Sequence, residues 1–139
     1  MLLHIIARGK IGRSPEADLV DRYLKRIAWP VKLTELSERA PEPTSPSGGV
    51  AILLDEKGEA LSSMELAKKL EQWRDRGVRE ARFVIGAADG HSADERSAAD
   101  LLMSFGPATW PHLLVRAMLA EQLFRATSIL ANHPYHREG

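Results

Sequence analysis

Three short apolar runs, each bounded by turn-forming residues, most constrain the fold of this 139-residue chain. They are LLHII at 2–6, VAILL at 50–54 and RFVI at 82–85. Short runs that are almost continuously apolar are typical of strands buried on both faces. Such strands occur mainly in parallel sheets whose two faces are covered by helices. The runs therefore predict an α/β fold with a mostly parallel sheet flanked by helices.

Segments with helical periodicity separate these strands. Ser14-Pro15-Glu16 predicts the first helix, because serine caps a helix and proline suits its first turn. Capping boxes at 62–65 and 92–95 predict two more helices. The second of these is expected to carry Ala98, Leu101 and Leu102 on its inward face. A final helix is predicted from about 111 to 130.

Three weaker segments complete the predicted organisation. Val31–Leu36 alternates and reads as a strand, and Ala108–Trp110 reads as a short extended piece. Between them, SERAPEPTSPSGG at 37–49 holds three prolines and two glycines without apolar periodicity. This composition predicts a flexible loop. A chain of this length fits one domain, so residues 1–139 are interpreted as a single domain.

Composition excludes several function classes. The chain has no cysteine, which excludes disulfides, thiolate metal sites and cysteine nucleophiles. Its 19 basic and 19 acidic residues give a formal net charge of zero, which disfavours a broad electrostatic grip on bare nucleic acid. The N-terminal apolar run is too short for a signal peptide or a membrane span. We therefore expect a cytoplasmic protein with no membrane partner.

The carboxyl ends of the predicted strands are the candidate ligand site, because parallel α/β sheets bind ligands there. These ends are Asp55 with its loop, the turn at 86–90 and the segment at 106–111. The turn GAADG at 86–90 is neither a P-loop nor a GxGxxG motif. The spacing leaves two interpretations open for both loops, a ligand contact or a plain connection.

The last helix and the tail carry most of the remaining chemistry. Arg125 lies four residues after Glu121 and is placed to pair with it, whereas a buried Arg116 would need a partner, for example at a subunit interface. His112 fits capping or packing better than catalysis. The tail HPYHR at 133–137 holds two imidazoles, a phenol and a guanidinium. Such groups can stack on a base, hold phosphate or accept a proton, and a metal site is disfavoured.

The ordered motifs resemble the RlmH family of the SPOUT superfamily. They are LLHIIARGKI and DRYLKRI near the start, FVIGAADGHS, WPHLLVRAMLAEQLFRA and the ending NHPYHRE. The resemblance covers nearly the whole chain. It implies a methyltransferase that modifies N3 of a pseudouridine in helix 69 of 23S rRNA, in the 70S ribosome. It also implies a homodimer and a C-terminal trefoil knot.

The resemblance further implies S-adenosylmethionine as methyl donor, without a metal. The implied cofactor-binding residues are Leu54, Gly86, Ala87, Gly106, Pro107, Ala108, Thr109, Trp110 and Pro111. The implied catalytic residues are Tyr135, His136 and Arg137, which would meet the target nucleotide, from either subunit of the dimer. The sequence leaves open whether His136 or Arg137 assists removal of the N3 proton.

Three alternatives remain at this stage. One is a SPOUT methyltransferase that acts on another RNA such as tRNA. Another is an inactive dimer that binds ribosomes, suggested by Ala87 in place of the family's usual second glycine and by the short loop at 37–49. The third, a small-ligand regulator, is disfavoured by the HPYHR tail.

Overall fold

Residues 1–43, 47–86 and 90–137 are described by a computed structural model of the chain. This part of the chain forms five strands and four helices, and a helix separates every two consecutive strands except β2 and β3. The elements are β1 Leu2–Arg8, α1 Pro15–Arg26, β2 Val31–Leu36, β3 Val50–Ala60, α2 Ser63–Asp75, β4 Glu80–Ile85, α3 Ala93–Ala98, β5 Leu101–Ser104 and α4 His112–Leu130.

The five strands form one sheet in the order β2-β1-β4-β3-β5, and every neighbouring pair is parallel. β4 lies in the middle, and all six of its residues are buried. A central strand of a parallel sheet has both faces covered, which explains the apolar run at 83–85 with which it ends. The prediction of an α/β fold with a parallel sheet flanked by helices is confirmed.

The predicted helix starts are confirmed by their caps. The Ser14 hydroxyl accepts a hydrogen bond from the Ala17 N–H at 3.1 Å, before Pro15 in the first turn of α1. Ser62 and Ser92 each form a complete capping box with the glutamate three residues later. These bonds satisfy N–H groups that have no partner inside the helix.

The predicted helix through Leu101 and Leu102 is wrong. α3 has six residues, none of them buried, and its last bonded turn ends at Ala99 in an extended conformation. The next residues form β5 along the edge of β3 instead. Leu101 and Met103 then face the main core, and Leu102 faces the other side of the sheet. Burying alternate side chains on the two faces of a strand stabilises this segment more than extending the helix would, because a helix this short contributes little stability by itself.

Two further boundaries differ from the prediction. β3 does not end at Leu54 but continues to Ala60 beside β5. Ala108–Trp110 forms no strand and belongs to the irregular connection between β5 and α4.

The main core lies on one face of the sheet, beneath α4. Both α1 and α2 pack against this helix. Leu119 and Leu123 of α4 are fully buried among strand residues such as Ile5 and Phe83. Because α4 is covered by the sheet and by two helices, it is apolar around most of its circumference. None of the helices in the described part of the chain has the length and apolar character needed to cross a membrane.

The opposite face of the sheet carries a smaller apolar cluster of Ile6, Leu53 and Val84. Residues 37–43 are fastened over this face by two arginines. Arg8 donates to the carbonyls of Ser37 and Ala40, and Arg82 donates to the Pro43 carbonyl at 2.5 Å. The flexibility predicted for 37–49 stays a prediction.

A buried polar group also lies on this face. The His4 imidazole contacts the Glu80 carboxylate at 2.5 Å and the Thr34 hydroxyl at 2.6 Å. Arg82 also contacts Glu80, at 3.4 Å. Buried charges are tolerated where they are paired and hydrogen-bonded in this way.

Candidate functional site

A cavity of about 310 Å³ lies at the carboxyl edge of the sheet. β3 and β4 pair as far as Leu54 and Ile85, and the residues that follow both strands line the cavity. The remaining walls come from the start of α3, the connection between β5 and α4, and the first turn of α4. The volume is within the range of about 300–1,000 Å³ that is usual for small-molecule sites. Its position matches the edge where parallel α/β sheets bind ligands.

An excursion of β3 opens this cavity. Leu54 and Glu59 both lie opposite Met103 of β5, so residues 55–58 leave the ladder between them. The Asp55 carboxylate closes the excursion by accepting a hydrogen bond from the Lys57 N–H at 2.9 Å. The strand then resumes beside β5, and Asp55 and Glu56 are left in the cavity wall.

Asp55 is a buried carboxylate held by a fixed charge. Its side chain is 4% exposed and accepts a hydrogen bond from Arg96 Nε at 2.8 Å. Burial acts to raise the pKa of Asp55, but the Lys57 N–H and the Arg96 guanidinium outweigh it and lower that pKa. The cavity therefore has an ionised carboxylate in its wall at neutral pH.

The connection between β5 and α4 forms a wall that is held by hydrogen bonds to Ser104 at the end of β5 and to β3. The Ser104 hydroxyl donates to the Gly58 carbonyl at 3.0 Å and accepts from the Gly106 N–H at 3.3 Å. Thr109 donates to the Glu56 carboxylate at 2.9 Å. Gly106 has a φ of +98°, a conformation that favours glycine, and open space lies where a side chain would project. A ligand can thus approach this backbone closely.

Apolar side chains complete the lining. Ile85 and Met103 contribute from the strands, Val115 from α4, and Trp110 from the connection. The Trp110 indole N–H donates to the Phe105 carbonyl at 3.3 Å, which holds the ring beside the cavity. A pocket with apolar walls and a few fixed polar groups suits a ligand that has both a flat apolar part and a charged part.

Comparison with known proteins decides the family. A family model described as "Predicted SPOUT methyltransferase" matches residues 1–136. The chain belongs to the SPOUT methyltransferase family.

Several relatives of this SPOUT methyltransferase carry the name "Ribosomal RNA large subunit methyltransferase H". The protein from Erythrobacter litoralis is 68% identical over 142 residues, covering 100% of both chains. The one from Rhizorhabdus wittichii is 66% identical over 140 residues, again covering 100% of both chains. A more distant relative, from Paramagnetospirillum magneticum, is 46% identical over 151 residues, covering 99% of each chain. The resemblance to the RlmH family is confirmed.

Most of the residues predicted to bind a cofactor in this SPOUT methyltransferase lie at the cavity. Six of the nine line it, namely Leu54, Gly86, Gly106, Ala108, Thr109 and Trp110. Pro107 and Pro111 belong to the same connection without lining the cavity, and Ala87 lies outside the described residues. Their role in binding stays a prediction.

The predicted catalytic tail lies against α4. The Tyr135 ring packs on Phe124 with ring centroids 4.6 Å apart, and its hydroxyl donates to the Glu121 carboxylate at 3.2 Å. Burial, together with the nearby Tyr23 and Glu121, raises the pKa of Tyr135 to about 12. His136 Nδ1 lies 3.1 Å from the Arg125 guanidinium. The tail is thus anchored to its own helix.

The three predicted catalytic residues do not line the cavity of the same chain. Tyr135 and His136 are half-buried on the surface of α4, and Arg137 is exposed. A single chain therefore brings the six cofactor candidates together but leaves the tail apart from them.

The other predicted residues of α4 have clear surroundings. Glu121 and Arg125 form the expected pair, with Nε at 2.8 Å from the carboxylate. Arg116 is buried, and its partner is the Glu35 carboxylate of the same chain, in addition to the Gly9 carbonyl at 3.2 Å. Its expected partner is thus supplied within one chain. His112 is exposed and lines the cavity at the first turn of α4.

Sequence reasoning missed four polar residues of the site. They are Glu56, His91, Arg96 and Ser104. The bond of Arg96 to Asp55 spans 41 positions, so no local pattern indicated it. His91 directly follows the glycine turn, and this adjacency was the available signal. No group of His, Asp and Glu residues suited to a metal ion occurs among residues 1–43, 47–86 and 90–137.

Proposed function

We propose that this chain transfers a methyl group from S-adenosylmethionine to N3 of a pseudouridine in helix 69 of 23S rRNA in the assembled 70S ribosome. It acts in the cytoplasm as a homodimer, without a metal, and its C-terminal part forms the trefoil knot of SPOUT enzymes. The observation that carries the proposal is the cavity at the carboxyl edge, formed by the segments that the family resemblance implies. The shared name of its relatives supports the large-subunit RNA as substrate.

The residues of the cavity fit S-adenosylmethionine. Gly106 leaves open space next to exposed backbone, as a flat adenine ring requires. The apolar walls from Ile85 and Met103 suit the same ring. The Asp55 and Glu56 carboxylates suit the positive charges of the sulfonium and the amino group.

Bound S-adenosylmethionine supplies an electrophilic methyl group. The chain's own task is to align that methyl with the nucleophilic nitrogen and to exclude water. Loss of the N3 proton is the harder part, because this nitrogen is a weak acid. A positive charge at Arg137 favours the resulting anion, and His136 is a candidate proton acceptor. Because a guanidinium only donates, His136 Nδ1 accepts from Arg125, and His136 can take up the N3 proton there only when this contact is released.

The homodimer is supported by two features. The tail residues do not line the cavity of their own chain, so a partner subunit is needed to bring a tail to it. In addition, Trp110, Leu113 and Leu114 are exposed large apolar residues around the first turn of α4, close to the cavity. An exposed apolar patch of this kind is typical of a subunit interface. We propose that the tail of the partner subunit completes the site.

The neutral net charge agrees with a ribosomal substrate. A protein that binds bare RNA through phosphates needs a large basic surface. An assembled ribosome presents a fixed shape, and shape can replace much of that charge in recognition.

The test is methyl transfer from labelled donor to ribosomes that lack the modification, with mass spectrometry to locate the methyl in the rRNA. Wild type is compared with His136→Ala and Arg137→Ala. Arg79→Ala is the matched control, because Arg79 is exposed and precedes β4 at the opposite edge of the sheet. Donor binding is measured separately by calorimetry.

We expect wild type and Arg79→Ala to methylate the helix 69 pseudouridine. The tail variants should bind the donor normally and lose transfer. Donor binding with untouched ribosomes would refute the substrate and make tRNA the next candidate. Failure to bind the donor would refute the reaction and favour a binding dimer without activity.

A further inference from the structure

His91 is a buried imidazole at the junction of the site. It is 8% exposed and lies between Gly90 and Ser92, the N-cap of α3. It lines the cavity described above and also a second cavity of about 320 Å³. Gly86 and Gly90 line both cavities with it. The imidazole is therefore part of the wall that separates them.

Contacts from three elements fix the ring. Its Nε2 lies 3.0 Å from the Leu54 carbonyl, at the point where β3 leaves β4. A carbonyl only accepts, so the hydrogen is on Nε2 and the ring donates it. Nδ1 is 3.7 Å from the Glu95 carboxylate, one turn into α3. This distance is too long for a hydrogen bond.

The ring also packs against Gly86 at the end of β4. A Cβ at that position would lie 3.0 Å from the ring's Cε1 and 3.2 Å from Nδ1. This spacing is tighter than an ordinary contact, so the ring and the Gly86 backbone are mutually close-fitting. His91 thus touches the ends of both strands that line the first cavity.

We propose that His91 is a positioning residue for the methyl donor, which holds the ends of β3 and β4 at a fixed separation and closes the wall between the two cavities. This inference rests on the proposed function, because it assumes that the first cavity holds S-adenosylmethionine. Without the ring, the Leu54 carbonyl loses the hydrogen bond that Nε2 donates to it. The shared wall between the two cavities also loses the part that the ring forms.

Two substitutions separate this role from simple packing. His91→Gln keeps an N–H donor that can reach the Leu54 carbonyl, whereas His91→Leu fills similar space without a donor. We expect His91→Leu to raise the calorimetric Kd for S-adenosylmethionine about tenfold, and His91→Gln to stay within about threefold of wild type. Thermal unfolding midpoints of the ligand-free variants should agree within a few degrees.

A double-mutant cycle tests the contact with Gly86. Gly86→Ala should weaken donor binding in the wild-type background, because its Cβ meets the ring. In a His91→Ala background, Gly86→Ala should weaken binding of the methyl donor little further, because no ring is left for the added Cβ to contact. Non-additive effects of this kind indicate direct contact. Steady-state kinetics should show the His91→Leu effect in KM for the donor, with kcat largely kept.

Three outcomes would overturn the inference. One is an equal Kd for wild type, His91→Leu and His91→Gln. Another is equal weakening by both substitutions together with lower unfolding midpoints, which indicates a purely structural role. In both cases wild type still binds the donor, so the proposed function stands. The third is a wild-type chain that binds no donor, which refutes the proposed function and the inference together.

Discussion

Adding one methyl group at Gly58 tests the close approach of β3 and β5. A Cβ at this position would lie 2.5 Å from the Leu102 carbonyl carbon and 2.6 Å from the Met103 nitrogen. Both atoms belong to the backbone of β5, so no side chain can rotate away. Ordinary contact begins near 3.4 Å, so β5 must move by roughly 1 Å to accept Gly58→Ala.

The expected cost follows from two opposing terms. Overpacking that shifts backbone costs typically about 1–3 kcal/mol, and this geometry falls at the upper end. Replacing glycine with alanine also reduces the freedom of the unfolded chain, which recovers up to about 1 kcal/mol. The net expectation is a loss of about 2 kcal/mol in the free energy of unfolding. For a domain of this size it corresponds to a fall of about 6–8 °C in the melting midpoint.

The assay is urea unfolding followed by circular dichroism, with Glu59→Ala as control. Glu59 is the next residue of the same strand and is exposed, so its substitution should change stability by less than about 0.5 kcal/mol. Donor binding should also weaken in Gly58→Ala, because the Gly58 carbonyl accepts from Ser104 at the cavity wall. A Gly58→Ala chain as stable as Glu59→Ala would refute the close approach.

Two other predictions concern charged groups. Arg116→Leu should lower the free energy of unfolding by about 2–4 kcal/mol in urea titrations, because it removes the buried partner of Glu35. Arg125→Leu breaks a pair whose arginine is more exposed, and it should cost under about 1 kcal/mol. Equal losses in the two variants would contradict the assigned burial. The pKa of Asp55 is lowered by the Lys57 N–H and Arg96 against the effect of burial, and the pKa of Glu95 is lowered by the Ser92 N–H. The stability that these two carboxylates give the fold is therefore fully present above their unfolded pKa values, near 3.8 and 4.5. It is lost as the pH falls through their lower pKa values in the folded chain. The urea midpoint of unfolding should therefore fall as the pH is lowered, and it should fall less steeply for Asp55→Asn than for wild type. Parallel plots of the midpoint against pH for the two proteins would contradict this.

The sequence predicted the elements that are defined by local chemistry. Buried strands and capped helix starts each depend on a few neighbouring residues, which explains why Ser14, Ser62 and Ser92 were assigned correctly. The wrong assignment of Leu101 and Leu102 had the opposite cause. Their environment depends on β3, which lies about fifty positions earlier in the chain. In the sequence, a strand of four residues has too few alternations between apolar and polar positions to outweigh the helix signal of a capping box.

The site was predictable in outline for a similar reason. The rule that ligands bind at carboxyl strand ends located Asp55, and the family motifs located six of the nine predicted cofactor-binding residues in the lining. Glu56 and Arg96 escaped prediction because the excursion at 55–58 and the bond between Arg96 and Asp55 exist only after the strands have paired. The partner of Arg116 likewise lies 81 positions away.

The way residues 37–43 are attached over the opposite face of the sheet determines which substitutions that segment can accept. Arg8 and Arg82 hold it through carbonyl oxygens at Ser37, Ala40 and Pro43. Every amino acid has that oxygen, including proline, and none of these bonds uses the segment's own side chains or N–H groups. One side chain of the segment also takes part, because Glu42 forms an ion pair with Arg8 at 3.9 Å. Substitutions elsewhere along 37–43 leave the three carbonyl bonds in place, and there the two arginines carry the constraint.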